Sequence, residues 1–368
     1  MTSLRVSLGA FFLPRRCVAA LVGGALVTVT WVIAAPGAGS ADLIDTPSRQ
    51  LSTALRTMVS GVASQGGRTV AVGPRGLILL SDDAGGSWRQ VSSPVSTDLA
   101  TVRFAGPSVV WAVGHDAVAL RSSDGGSTWE RMLDGRTVLK LLRESAKGSE
   151  QLEAEIERTM GQSATADVWP APLLDIRFAA DGLTGFAVGG FGLILKTTDG
   201  GKTWRSWQSQ AENEQRYHLY ALTGNDGAVF VAGEQGLVMR LNAEGQRFER
   251  IVTPYNGSFF GIDQLGSRLV AYGLRGNAFV SDNAGQAWQK IETGVDANLV
   301  GAVAHGDAVL LVSQKGDVLA VDFSASRASI YDQAPGAEVY GAAMTTSHRL
   351  ALARLNGVGV VAVSAQAK

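Results

Sequence analysis

Three aspartates and one asparagine stand in nearly identical phrases along this chain. Asp199 lies in T-T-D-G-G-K-T-W (Thr197 to Trp204), Asp124 in S-S-D-G-G-S-T-W (Ser122 to Trp129), and Asp83 in S-D-D-A-G-G-S-W (Ser81 to Trp88). Asn283 holds the place in S-D-N-A-G-Q-A-W (Ser281 to Trp288). A carboxylate beside glycines could serve as a general acid, a general base or a metal ligand. The repetition points elsewhere. An active site needs different groups converging on one point, whereas here the same group recurs at a fixed pitch. The aspartate is expected to accept hydrogen bonds from turn amides, with a glycine supplying the left-handed bend and the tryptophan packing back on a sheet. Asp83, Trp88, Asp124, Trp129, Asp199, Trp204, Asn283 and Trp288 therefore read as structural staples. A worn copy, L-N-A-E-G-Q-R-F, spans Leu241 to Phe248.

The elements that carry these phrases follow from a second landmark. An apolar run ending in glycine precedes each copy, at Gly73, Gly114, Gly189, Gly233 and Gly273, always 15 residues before the aromatic. The register continues to Ser313 and Arg354. Every step is 40 to 44 residues except one of 75, between Gly114 and Gly189. Within one unit, Leu173 to Ala179, Gly185 to Gly189, Gly192 to Thr198 and Thr203 to Trp207 are four short runs rich in strand formers, separated by glycine or aspartate. Gly189 and Gly192 are expected to flank a two-residue hairpin turn, with positive φ. Seven such units predict an all-β, seven-bladed propeller of four-stranded blades. The last unit lacks a fourth strand before Lys368, and Ala41 to Arg49 is expected to supply it and close the ring.

The long step holds an insertion, residues 134–170. Thr137 to Lys147 and Glu150 to Met160 read as helices broken near Gly148, and Leu152, Ile156 and Met160 form one apolar stripe. It either packs on its own propeller or docks a partner.

Arg5, Arg15 and Arg16 precede an apolar stretch from Val18 to Ala35, small residues follow, and no acid occurs before Asp42. Residues 1–41 thus predict a signal peptide for export to a periplasm, or else a membrane anchor through 18–35. The 32 basic and 33 acidic residues lose three arginines and no acid with this segment, leaving a net charge of about −4. That disfavours a nucleic-acid partner. The single cysteine, Cys17, falls in the leader, so the propeller has neither thiol nor disulfide. The four histidines (His115, His218, His305, His348) lack metal-ligand spacing, so no metal and no cofactor is expected.

The repeat from Val188 to Trp204, V-G-G-F-G-L-I-L-K-T-T-D-G-G-K-T-W, resembles that of the photosystem II assembly and stability factors of cyanobacteria and chloroplasts, and I-D-T-P at Ile44 to Pro47 is similar to their start. The resemblance covers Asp42 to Lys368. It implies a non-enzymatic seven-bladed propeller that helps build a membrane protein complex at its lumenal or periplasmic face. The long leader and the alanine- and glycine-rich composition suit a non-photosynthetic bacterial member. The resemblance also implies a basic partner patch. The turns between second and third strands place Arg75, Arg275 and Lys315 in one sector as its candidates, with Asp116 and Glu234 opposing them. A sialidase-type glycoside hydrolase, or a carbohydrate- or peptide-binding propeller, is the alternative. A sialidase clamps a carboxylate with three arginines and attacks with a tyrosine paired to glutamate. Here Arg89, Arg131, Arg205 and Arg250 all fall on outer strands.

Overall fold

The computed structural model describes residues 42–363, apart from residues 164, 226, 227, 307 and 335. The leader expected over residues 1–41 lies outside the described residues. Residues 41–368 form one compact unit. Among the described residues it holds seven antiparallel sheets, six of four strands and one of three, each in simple sequence order. The innermost strands are Gly61–Gln65, Leu99–Phe104, Leu173–Phe178, Leu219–Asn225, Phe259–Leu265, Leu299–His305 and Val339–Thr346.

Second strands such as Val110–Gly114 and Gly185–Gly189 are buried along their whole length. They lie between neighbouring blades, so both faces are covered, and the sequence there is a continuous apolar run without alternation. The cores accordingly sit at the seams. One joins Trp111 and Val113 of blade 2 to Leu173, Leu195 and Trp204 of blade 3.

The landmark glycines have a steric cause. Gly189 is extended (φ −171°), and a Cβ there would lie 2.0 Å from the carbonyl oxygen of Pro172. At Gly73, Gly114, Gly233 and Gly273 the nearest atom would likewise be a backbone oxygen, at 2.1 to 2.5 Å. The positive φ expected at Gly189 belongs instead to Phe191 (54°) and Gly192 (65°), the two residues that reverse the chain.

The aspartate turns are hydrogen-bonded within themselves. Asp199 Oδ1 accepts from the Thr203 amide (2.9 Å) and Oδ2 from the Thr203 hydroxyl (2.6 Å), while the Thr197 hydroxyl donates to Oδ1 and accepts from the Gly201 amide. Asp83, Asp124 and Asn283 repeat the pattern. In the worn copy, Asn242 Oδ1 still accepts from the Gln246 amide at 2.8 Å. Each turn leans on the preceding blade: Trp204 meets Trp111 edge-on at 6.3 Å, and Gly285 lies against Ile251.

Ring closure differs from the expectation. Among the described residues blade 7 has three strands, and residues 42–49 form none. They run instead as a strap over blades 1 and 2. Ile44 is fully buried and belongs to the core of blades 1 and 2 that also holds Val91, Val95 and Leu120. The Ser48 amide donates to Ser93 O and the Ser96 amide to Leu43 O. Asp45 is held by Arg131 and Arg136, and Asp42 by Arg136. The side chain of Ile44 and the two paired acids draw the segment away from blade 7, and Pro47 has no N–H to give a ladder. Further on, Ala54 packs with Ala351 and Ala353 of blade 7 and Leu79 of blade 1, and the Val59 amide donates to Arg354 O. The strap therefore spans the blade 7–1–2 sector, and the 7–1 seam closes by side-chain packing that includes Trp88 and Val360.

Candidate partner-binding face

Each fourth strand returns to the side from which the next innermost strand departs. The connections between blades, the second–third turns, the insertion and the strap therefore share one face, and the aspartate turns lie on the other. The Ala84 amide donates to Gly67 O, pairing the aspartate turn with the first hairpin turn on that opposite side.

On the first face, Arg75 and Arg275 occupy equivalent positions. Both have left-handed backbones (φ 55° and 54°), and both amides are capped by the residue before the next blade, Asp98 Oδ1 at 2.8 Å and Asn298 Oδ1 at 3.1 Å. Both side chains are exposed, and neither forms an ion pair among the described residues. Lys315 is different. Its Nζ lies 3.1 Å from Asp296 Oδ1, and this bond holds the Asp296 carboxyl below its ordinary range. Part of the lysine's charge is thus answered within the chain. The opposing acids are also engaged: Asp116 accepts from the Thr97 hydroxyl, and Glu234 from the His218 amide.

The insertion forms α1 (Gly135–Ala146) and α2 (Glu150–Met160). Asp134 caps α1 through the Thr137 amide at 3.0 Å, and Gly148 (φ 83°) breaks the pair. Val138, Leu139, Leu142 and Ala146 are buried in the blade 2–3 core, so α1 is part of the propeller. Arg216 Nε binds Glu155 Oε1 at 3.1 Å and ties α2 to the blade 3–4 connection. The outer side of α2 presents exposed Glu150, Glu153 and Glu157.

Sequence reasoning missed the axis. A void of about 220 Å³ there is lined by all seven innermost strands. Four polar groups converge on this region. Arg103 Nε and Nη2 bind Asp175 Oδ1 and Oδ2 at 2.8 and 3.0 Å, and Asp175 also accepts from the Ile176 and Leu222 amides. Asp175 thereby links blades 2, 3 and 4, and its charge holds the Arg103 guanidinium firmly protonated. Tyr272 reaches inward over Gly261, where a Cβ would fall 2.2 Å from its Cζ, and donates to Asp263 Oδ2 at 2.7 Å. Burial pushes both groups up, Tyr272 well above the usual phenol range. That shift opposes phenolate formation. The signal was present in L-A-T-V-R-F, L-L-D-I-R-F and F-F-G-I-D-Q-L, where a charge interrupts an innermost strand.

Around the mouth of the void runs an aromatic series. Phe191 meets His218 at 5.1 Å, His218 meets Tyr220 at 6.4 Å, and Tyr220 meets Phe260 at 5.6 Å, all edge-on. Burial, and then the charge of Glu234, push the Tyr220 phenol up to about 12. No helix among the described residues is long and apolar enough to cross a membrane, and no cluster of three or more metal-binding side chains occurs among them.

With this arrangement established, residues 162–360, more than half of the chain, match the model of the family described as photosynthesis system II assembly factor YCF48. The chain belongs to this family. A photosystem II assembly lipoprotein, Ycf48 of Synechococcus sp. (strain CC9902), is 23% identical over 271 residues, covering 67% of this chain and 80% of that protein. A solved structure of YCF48 bound to a D1 peptide superposes with a TM-score of 0.61 at 14% identity, covering 87% of this chain and 97% of the other. YCF48 from Cyanidioschyzon merolae gives 0.59 at 16% identity, covering 84% and 96%. At these identities the structural likeness speaks for the fold.

Proposed function

We propose that this chain is an exported, non-enzymatic member of the YCF48 family that binds a membrane protein and assists assembly or stability of its complex. The observation that carries this is the first face: a rigid ring presents two arginines without an ion pair among the described residues, in blades 1 and 5, and a helix with exposed Glu150 and Glu153 in its first turn. Loops and turns on a rigid scaffold are where recognition concentrates. The polar groups at the axis, by contrast, are engaged with one another. The D1 peptide bound by the solved relative and the lipoprotein status of the curated one support a membrane-side role.

Arg75 and Arg275 are the leading contacts, with Lys315 contributing less because Asp296 already answers it. The test is capture of the membrane partner by Arg75→Glu/Arg275→Glu and, separately, by Glu150→Lys/Glu153→Lys. Either pair should weaken capture, mainly through association rate and salt dependence, at an unchanged melting temperature. Retention by both variants, with loss in a variant of the aspartate-turn face, would reverse the assignment. Removing the insertion outright is not a clean test, because α1 is core.

A second reading rests on the aromatic series at the mouth. Half-buried rings in a row suit stacking against a sugar or an extended peptide. Tyr220→Ala would then weaken binding while leaving Arg75→Glu additive.

A further inference from the structure

Most large apolar side chains left exposed by this fold are not scattered. Leu43 (55% exposed), Leu51 (40%), Leu55 (49%) and Leu355 (50%) all belong to the strap or to the blade 7 turn beside it. The local geometry gathers three of them. The Ala54 amide donates to Leu51 O, which turns the chain through a short 3-10 segment, Ala54–Arg56, so that Leu51 and Leu55 are one turn apart. A Cβ on Gly357 would lie 2.2 Å from Leu55 O, which places the Leu55 backbone at the start of the last strand of blade 7, two residues after Leu355. Leu43 lies at the other end of the strap, just after the leader ends. Exposed Arg49 and Arg56 flank Leu51 and Leu55, and neither forms an ion pair among the described residues. Of the neighbouring acids, Asp45 is paired with Arg131 and Arg136, whereas Asp98 and Glu338 accept from neutral donors, the Arg75 amide and the Tyr340 hydroxyl.

We propose that the strap corner at blades 7 and 1 docks on the surface of an anionic lipid bilayer, through Leu51, Leu55 and Leu355 inserted at the headgroup level and Arg49 and Arg56 against the lipid phosphates. Separate leucines standing on a rim, with cations beside them, suit a soft interface better than a shaped protein pocket. The strap also continues directly into the leader. Only residues 36–41 separate the apolar run that ends at Ala35 from Asp42, and six extended residues reach about 20 Å at most. A chain that keeps its leader in a membrane would hold Asp42, at the blade 2 end of the strap, within that distance, and the corner lies at the other end of the same strap on the same face. The docked corner belongs to the same face as Arg75 and Arg275, so it would turn that face toward whatever membrane protein is nearby. The proposal does not depend on that partner, since lipid alone tests it.

The seams and cores of residues 42–363 are all internal to the ring, so the chain from Asp42 to Lys368 serves as the test protein. It is mixed with vesicles of phosphatidylglycerol and phosphatidylethanolamine, and with vesicles of phosphatidylcholine alone, and co-sedimentation is measured across salt concentrations. Binding is expected on the anionic vesicles, weakening as salt rises. Interfacial basic residues contribute about fivefold each. Arg49→Glu/Arg56→Glu and Leu51→Ser/Leu55→Ser should each weaken binding by at least about tenfold, whereas Leu183→Ser and Ile330→Ser, exposed elsewhere, should not. Melting curves matching wild type establish that the variants are folded. Equal binding to both vesicle types, binding retained by both strap variants, or no sedimentation with anionic vesicles would overturn the proposal. So would an outcome in which the strap variants lose only a detergent-solubilised protein partner, because the corner would then be a protein interface.

Discussion

Truncating Ile44 to alanine tests the strap as a clasp. The side chain is fully buried in the core shared by blades 1 and 2, which also holds Val91, Val95 and Leu120, although it precedes the first strand by many residues. Isoleucine to alanine at a closed site costs about 2–5 kcal/mol, the lost transfer term plus the cavity left behind. The strap is a single layer with exposed neighbours, so it can settle partly into the gap, and a value near ~3 kcal/mol is expected. Unfolding entropy of about 2.1 cal/mol/K per residue, over a chain of this length, converts that to a fall of about 4–5 °C in melting temperature. Differential scanning calorimetry of the variant beside Leu183→Ala, which is half exposed, provides the comparison. The structure adds a signature: Asp45, Arg131 and Arg136 hold the same segment, so Ile44→Ala should also speed amide exchange at Ser48 and Ser96, whose N–H groups bond to and from the strap. A melting temperature within about 1 °C of wild type, with exchange unchanged at those amides, would show that the strap is ornamental and that the 7–1 seam closes the ring unaided.

Other outcomes follow from the same geometry. Asp83, Asp124 and Asp199 are held at about 2 by turn amides and hydroxyls, below the ordinary aspartate value of 3.8. Carboxyls lowered on folding stabilise above their unfolded value and lose that contribution as pH falls, so melting temperature should drop between about pH 4 and pH 2. The triple Asp→Asn variant should show a shallower drop in that window, and an identical slope would refute the linkage. Gly261→Ala should displace Tyr272 from Asp263, because its Cβ would meet the phenol ring at 2.2 Å, and the added change Tyr272→Ala should recover part of the lost stability. Asp175→Ala should destabilise more than Asp263→Ala, as judged by denaturant midpoint, since it strands the Ile176 and Leu222 amides as well as Arg103.

Sequence alone determined the architecture. Landmark glycines, spaced aspartates and aromatics encode the blade because each answers a local demand: Gly189 avoids the Pro172 carbonyl, Asp199 closes its own turn four residues on, and both operate within one unit. The helices of the insertion were legible for the same reason, their caps Asp134 and Ser149 being local. Tertiary structure decided what depends on residues far apart in the chain. Whether residues 42–49 would complete blade 7 or clasp blades 1 and 2 turned on a cavity for Ile44 that only two assembled blades create. Arg103, Asp175, Asp263 and Tyr272 come from separate units, and only the closed ring brings them to one axis. Arg75 and Lys315 look alike in sequence, yet the folded loop puts Asp296 beside one and leaves the other open, because charge pairing across a turn is set by distance in space.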